Sequence, residues 1–69
     1  MSATVHITEG VTQIEYRIVG NLEAVLEQIR RLLIEYSPYE YGTHVHWLDQ
    51  EVDGTYMARV SRAALKGAE

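Results

Sequence analysis

Cysteine and phenylalanine are absent from this 69-residue chain, and proline occurs once. Without cysteine there is no disulfide framework and no thiolate metal site, so the disulfide-stabilised domains typical of small secreted proteins are excluded. A reducing cytoplasm is therefore the expected location. Apolar runs such as residues 32–34 are far shorter than the roughly 20 residues that cross a bilayer, and the N-terminal stretch lacks a signal-peptide pattern. Neither membrane insertion nor export is expected.

Basic residues are also few. Six lysines and arginines stand against ten aspartates and glutamates, which gives a formal net charge of −4. This sign opposes binding to a phosphate backbone by counterion release, so direct nucleic-acid binding is not expected. It suits a partner with a basic surface, although a small protein also carries net charge merely to stay in solution.

Motifs of catalysis are missing as well. The sequence has no glycine-flanked nucleophile, no histidine and carboxylate spacing that singles out a triad, and no glycine-rich phosphate loop. Asp49, Glu51 and Asp53 match the opening of an EF-hand loop, but its twelfth position is Val60 instead of a bidentate glutamate. So small a domain also has little room for a pocket that excludes water. We expect no enzymatic activity, no catalytic residue and no cofactor.

Alternating apolar and polar residues predict two hairpins. Residues 4–8 and 11–19 alternate on either side of Glu9-Gly10, which indicates two strands joined by a tight turn. Residues 41–52 and 55–63 alternate on either side of Asp53-Gly54, a turn dipeptide whose glycine can supply a positive φ.

One helix is predicted between the hairpins. Asn21 is a typical N-cap residue, and Ser37-Pro38 ends the helix because proline disfavours helical geometry in the residue before it. Ile34 falls away from the apolar stripe and is predicted to be exposed. The stripe recurs at helical spacing and is predicted to pack on the sheet; its residues are Leu22, Val25, Leu26, Ile29, Leu32, Leu33 and Tyr36.

These elements predict a single α+β domain over residues 1–69 with the order ββαββ. A right-handed crossover through the helix makes the third strand parallel to the second, and the fourth strand then fills the gap between them. The expected architecture is a four-stranded antiparallel sheet of order 1-2-4-3. The helix packs on one face, and the other face stays open to solvent or a partner.

Alternation along the third strand predicts which side chains face the helix. Val45 and Trp47 are expected to face it, whereas His44, His46 and Leu48 are expected on the open face.

A pair of histidines one residue apart on a strand is typical of some metal sites, but such sites need a further ligand. His6 is the obvious third histidine for His44 and His46. The predicted order places His6 on the opposite edge strand, three spacings of about 4.8 Å away. We therefore expect no metal site within one chain, and a site shared between two chains is the remaining alternative.

The most concentrated negative patch is the second hairpin. Its carboxylates, Asp49, Glu51 and Asp53, are suited to arginines or lysines of a partner, and Glu40 is expected nearby.

Tyrosines cluster where the helix ends. Tyr36 belongs to the apolar stripe and is expected in the core, whereas Tyr39 and Tyr41 either close the end of the core or contact a partner. The candidate partner-binding residues are Asp49, Glu51, Asp53, Glu40, Tyr39, Tyr41, His44 and His46.

The stretch YGTHVHWLDQEVDGTYMARVSR, residues 41–62, resembles small α+β proteins encoded by phages and prophages. The size, acidity and lack of catalytic motifs are similar to those of anti-CRISPR proteins. This resemblance implies an inhibitor that occupies a basic surface of a nucleic-acid-handling effector complex, such as a CRISPR effector, and blocks nucleic-acid access. The alternative is a self-associating accessory or regulatory domain, a homodimer in which an edge strand or the open face pairs with its copy.

Overall fold

A four-stranded antiparallel sheet with one long helix on it makes up the computed structural model, which describes residues 3–66. The strands run in the order β1-β2-β4-β3, and every neighbouring pair is antiparallel. The predicted fold class and strand order are confirmed. The elements are β1 (Thr4–Glu9), β2 (Gln13–Gly20), α1 (Leu22–Glu35), α2 (Pro38–Tyr41), β3 (His44–Gln50) and β4 (Tyr56–Ala63).

Local capping sets both ends of α1. The side-chain oxygen of Asn21 accepts a hydrogen bond from the backbone N–H of Ala24 at 2.8 Å, which satisfies one of the unpaired donors of the first turn. The helix ends at Glu35, and Tyr36 is its C-cap, immediately before the predicted Ser37-Pro38 stop. Neither helix in residues 3–66 is long and apolar enough to cross a membrane.

The core lies between α1 and the two central strands, β2 and β4. Val25 and Ile29 are the buried residues of the helix. They form one cluster with Tyr16, Ile18, Ala58 and Val60 of the sheet. The apolar stripe is wider than this contact, because Leu22 and Leu26 remain 38% and 46% exposed. The expectation that Leu26 packs as Ile29 does is therefore wrong, whereas the predicted exposure of Ile34 is confirmed at 67%.

A β-bulge in β3 changes which of its side chains face the helix. Val45 lies on the helix side as predicted, but the register then shifts before Trp47. Trp47 pairs with Arg59 on the open face, and Leu48 pairs with Ala58 on the helix face. The predicted facing of Trp47 and Leu48 is thus wrong, because one extra residue in a strand reverses every side chain after it.

A one-turn helix, α2, was not predicted, and its last residue, Tyr41, is where the third strand was expected to begin. The Ser37 hydroxyl accepts a hydrogen bond from the Glu40 N–H at 3.1 Å, and Pro38 occupies the first turn, where its missing N–H costs nothing. Gly42 ends the turn in the left-handed region at φ 63°. The third strand therefore starts at His44 instead of residue 41.

The first hairpin also turns later than predicted. The Gly10 N–H donates to the Gln13 carbonyl at 2.8 Å, so the loop covers residues 10–12 and β2 starts at Gln13. A Cβ at Gly10 would lie 2.8 Å from that same carbonyl oxygen, which explains the glycine.

Alanine substitutions on α1 separate the buried part of the stripe from its exposed part. Ile29→Ala removes a side chain that is only 8% exposed, and we expect it to lower the free energy of unfolding by about 2 to 5 kcal/mol through cavity formation. Leu26→Ala is the matched control and should cost clearly less, because its side chain is already half in water. Urea unfolding followed by circular dichroism measures both. Equal losses for the two variants would contradict this packing.

Candidate partner-binding site

The end of β3 and the turn that follows it present three carboxylates, and backbone hydrogen bonds close the turn. The Glu51 N–H donates to the Thr55 carbonyl at 2.7 Å, and the Gly54 N–H donates to the Glu51 carbonyl at 3.0 Å. Gly54 supplies the predicted positive φ, at 91°. Asp49 and Asp53 are exposed, and Glu51 is half-buried. We call Asp49, Glu51 and Asp53 the acidic hairpin.

Asp53 is the carboxylate that the turn holds most firmly. It accepts hydrogen bonds from the Thr55 hydroxyl at 2.7 Å and from the Thr55 N–H at 3.1 Å. The hydroxyl first, and then the backbone N–H, lower the pKa of Asp53 because both favour the ionised form. These two hydrogen bonds therefore favour the ionised form of Asp53 over the protonated form.

The acidic hairpin has no lysine or arginine partner within residues 3–66. The ion pairs in that range join other residues: Glu27 with Arg30 and Arg31, Glu15 with Arg59, and Glu40 with Lys66. No internal ion pair must therefore be broken before these three carboxylates meet cations of a partner.

Glu40 does not belong to the acidic hairpin. It lies in α2, before β3 begins, whereas the hairpin follows the far end of that strand. The length of β3 puts about 20 Å between the two locations. Glu40 also forms an ion pair with Lys66 at 3.3 Å. The expectation that Glu40 lies near the acidic hairpin is therefore wrong.

The two candidate tyrosines have different surroundings. Tyr39 is 97% exposed at the surface of α2 and is available for contact. Tyr41 is half-buried and meets Tyr36 edge to face, with ring centroids 5.1 Å apart. This geometry is favourable for aromatic pairs, and it gives Tyr41 a place in the packing at the end of the core.

His44 and His46 lie on the open face, as predicted, with ring centroids 4.6 Å apart. His46 Nε2 is 2.6 Å from Ser61 Oγ of the neighbouring strand. Ser61 is only 4% exposed, so this contact lies in the interior of the sheet surface. His6 lies on β1, at the opposite edge of the sheet, and no group of three metal-ligating side chains occurs in the described part of the chain.

Away from the hairpin end, the open face carries charges of both signs. Arg59 contacts Glu15, with Nε 2.7 Å from Oε2, and Arg17 is exposed without an ion pair in the described range. Arg17, Glu15 and His6 line a shallow depression of about 360 Å³ with Thr8 and Val19. Asp49 pairs with Met57 and so lies at the hairpin end of this same face, which is mixed in charge elsewhere and negative only towards the hairpin.

Arg62 is the residue that sequence reasoning missed. It is 8% exposed on the helix side of β4, and its guanidinium carbon lies 3.7 Å from the ring centroid of Tyr36. Its Nε donates to the Tyr16 hydroxyl at 2.9 Å, and its Nη1 donates to the Ala63 carbonyl at 2.9 Å. The signal was present in the sequence, since Arg62 continues the helix-facing series of Ala58 and Val60.

Two effects stabilise the buried Arg62 cation. They are cation–π attraction to the tyrosine rings and the partial negative charge at the C-terminal end of α1, where Tyr36 is the cap. Tyr16, Tyr36 and Tyr41 surround the guanidinium, at centroid distances of 5.9, 3.7 and 5.6 Å. The tyrosine cluster thus closes the end of the core around Arg62. Within it, Tyr36 and Tyr41 have a structural role.

No protein-family model matches the chain, and neither a curated protein nor a solved structure matches it.

Tyrosine-to-phenylalanine substitutions test the Arg62 cluster. Tyr16→Phe keeps the ring but leaves the buried Arg62 Nε without its acceptor, so we expect a loss of about 1 to 3 kcal/mol in the free energy of unfolding. Tyr36→Phe keeps the aromatic face under the guanidinium and should be nearly neutral. Chemical unfolding of both variants is the measurement, and a more harmful Tyr36→Phe would contradict the assigned contacts.

Removing the Thr55 hydroxyl should raise the pKa of Asp53. Thr55→Val keeps the branched side chain and the backbone N–H, so only the largest cause of the lowered pKa is lost. Because the folded-state pKa of Asp53 is depressed, the hydroxyl stabilises the fold above the unfolded-state pKa, and this contribution disappears as the pH falls through the folded-state pKa. Carboxyl carbon NMR across a pH titration measures the shift, with Thr12→Val in the other turn as the control. An unchanged Asp53 pKa would refute the assignment.

Proposed function

We propose that this protein is a non-enzymatic interaction module that uses its acidic hairpin to bind a basic surface of a nucleic-acid-handling effector complex. By occupying that surface it blocks nucleic-acid access, as a phage-type, anti-CRISPR-like inhibitor in the host cytoplasm would do. One observation carries the proposal. The acidic hairpin projects from the end of the sheet, and within residues 3–66 no lysine or arginine neutralises it.

The form of the hairpin suits a basic groove. Carboxylates bind guanidinium and ammonium groups through short charge-assisted hydrogen bonds, which are stronger than neutral ones. The turn is held by its own hydrogen bonds, so little conformational entropy is lost when a partner orders it further. Val52, fully exposed between the acidic side chains, adds an apolar contact at the centre of the polar patch.

Long-range electrostatics supports the same partner. The net charge of −4 steers the protein towards a positive surface. Ions screen this attraction over roughly 8 to 10 Å at physiological salt, so association should slow as salt is added. The exposed Arg17 on the open face makes that face less suitable for the same cationic surface. The hairpin end is therefore expected to enter the partner first.

Reversing the charge of the acidic hairpin tests the proposal. Asp49→Lys, Glu51→Lys and Asp53→Lys together should weaken partner binding at least tenfold, about 1.4 kcal/mol, while the circular-dichroism spectrum stays unchanged. The partner is first captured from a nuclease-treated lysate of a bacterial host, and its affinity is then measured at several salt concentrations. If the partner is captured only from a lysate that has not been treated with nuclease, nucleic acid bridges the two proteins and direct protein binding is contradicted.

A matched charge reversal elsewhere on the surface distinguishes the effect of the acidic hairpin on binding from the effect of net charge. Glu9→Lys, Glu23→Lys and Glu35→Lys together make the same change in charge at carboxylates that form no ion pair in the described range. This control should slow association but leave most of the affinity. If the hairpin variant bound as tightly as the parent, with the same salt dependence, the hairpin would not be the binding site.

A further inference from the structure

The two edges of the sheet differ in how well they are protected from pairing with another strand. An edge strand presents unpaired backbone N–H and C=O groups, and many proteins block such an edge with a bulge, a proline or a lysine. The β3 edge carries the bulge between Val45 and Trp47. The outer side of β1 is not paired with any strand in residues 3–66.

None of these protective features is present in β1. Its sequence, TVHITE, has four β-branched residues and neither proline nor lysine. It pairs with β2 in unbroken register from Thr4 opposite Val19 to Glu9 opposite Ile14. The strand is therefore regular along its whole length, and its single charged residue, Glu9, stands at one end.

Apolar surface accompanies this open edge. Ile7 pairs with Tyr16, so its side chain lies on the helix face of the sheet, yet it is 57% exposed. The reason is that α1 packs mainly over β2 and β4, so that Val5 of β1 reaches the core cluster but Ile7 does not. A further strand beside β1 would cover Ile7 and satisfy the free backbone groups together.

We propose that β1 pairs antiparallel with β1 of a second copy of this chain, which joins the two sheets into one of eight strands. The strand is self-complementary in this arrangement. If both helices lie on the same face, the register is centred on a residue that faces its own copy. The two registers with the longest overlap are centred on His6 or on Ile7. Ile7 then meets Val5 or Ile7 across the interface, and the antiparallel direction keeps the two Glu9 carboxylates at opposite ends.

This dimer leaves the acidic hairpins free. They lie on the far edges of the joined sheet and at opposite ends of its strands, so seven strand spacings, or about 34 Å, are only the part of their separation that runs across the strands. Each dimer therefore presents two copies of the hairpin and can bind two cationic sites of suitable spacing with increased avidity. The pairing itself does not depend on the function proposed above.

One strand pair buries less than the roughly 1,600 Å² of a standard protein interface, so the dimer should be weak and concentration-dependent. Sedimentation velocity of the purified full chain over a wide concentration range should show the 7.9 kDa monomer giving way to a species of twice that mass. Ile7→Lys places a charge in the interface and should remain monomeric at concentrations where the parent is dimeric. Val11→Lys adds the same charge at a 97% exposed turn residue and should behave as the parent.

The absence of cysteine allows a direct test of the register. Single variants His6→Cys and Ile7→Cys are oxidised under mild conditions, and one of them should form a disulfide-linked dimer. His44→Cys on the bulged edge is the control and should remain largely monomeric. A parent that is monomeric throughout, an Ile7→Lys variant that dimerises as well as the parent, or preferential cross-linking through His44→Cys would each overturn the proposal.

Discussion

The packing of Val25 and Ile29 of α1 onto Ile18 and Val60 is the contact on which the rest of the structure depends. Burial of side chains of this size contributes about 1.5 to 3 kcal/mol each, a large share of the stability of so small a domain. The helix covers the two central strands and leaves the outer strands partly bare. One face, two edges and the β3–β4 turn are consequently free for contacts with other molecules.

Arg62 shows how the fold closes the end of this core without using its acidic residues. A buried cation usually requires a counterion, because removing charge from water is costly. Here the guanidinium is stabilised by tyrosine rings, the Tyr16 hydroxyl and a backbone carbonyl. No carboxylate is needed in that contact, so the surplus of acid remains at the surface. The acidic hairpin, which has no lysine or arginine partner in residues 3–66, is the basis of the proposed function.

The two edges of the sheet illustrate a second consequence of covering only its centre. The bulge at β3 brings Trp47 to the open face beside Arg59 and interrupts the edge. The edge at β1 is regular and carries the exposed Ile7. A partner bound at the acidic hairpin and a second copy bound at β1 would occupy different parts of the molecule, so the two interactions are compatible.

The sequence by itself determined the features that depend on near neighbours in the chain. Asn21 and Ser37-Pro38 bound α1 because capping and proline sterics act within a few residues, and the handedness of crossover connections predicts the order 1-2-4-3. The clustering of acidic residues in the second hairpin could also be predicted from the sequence. Only the tertiary structure decided the bulge in β3, the partial exposure of Leu26 and the partners that surround the Arg62 guanidinium. Each of these depends on which residues of different strands or segments meet, and the pattern along one element carries no information about that.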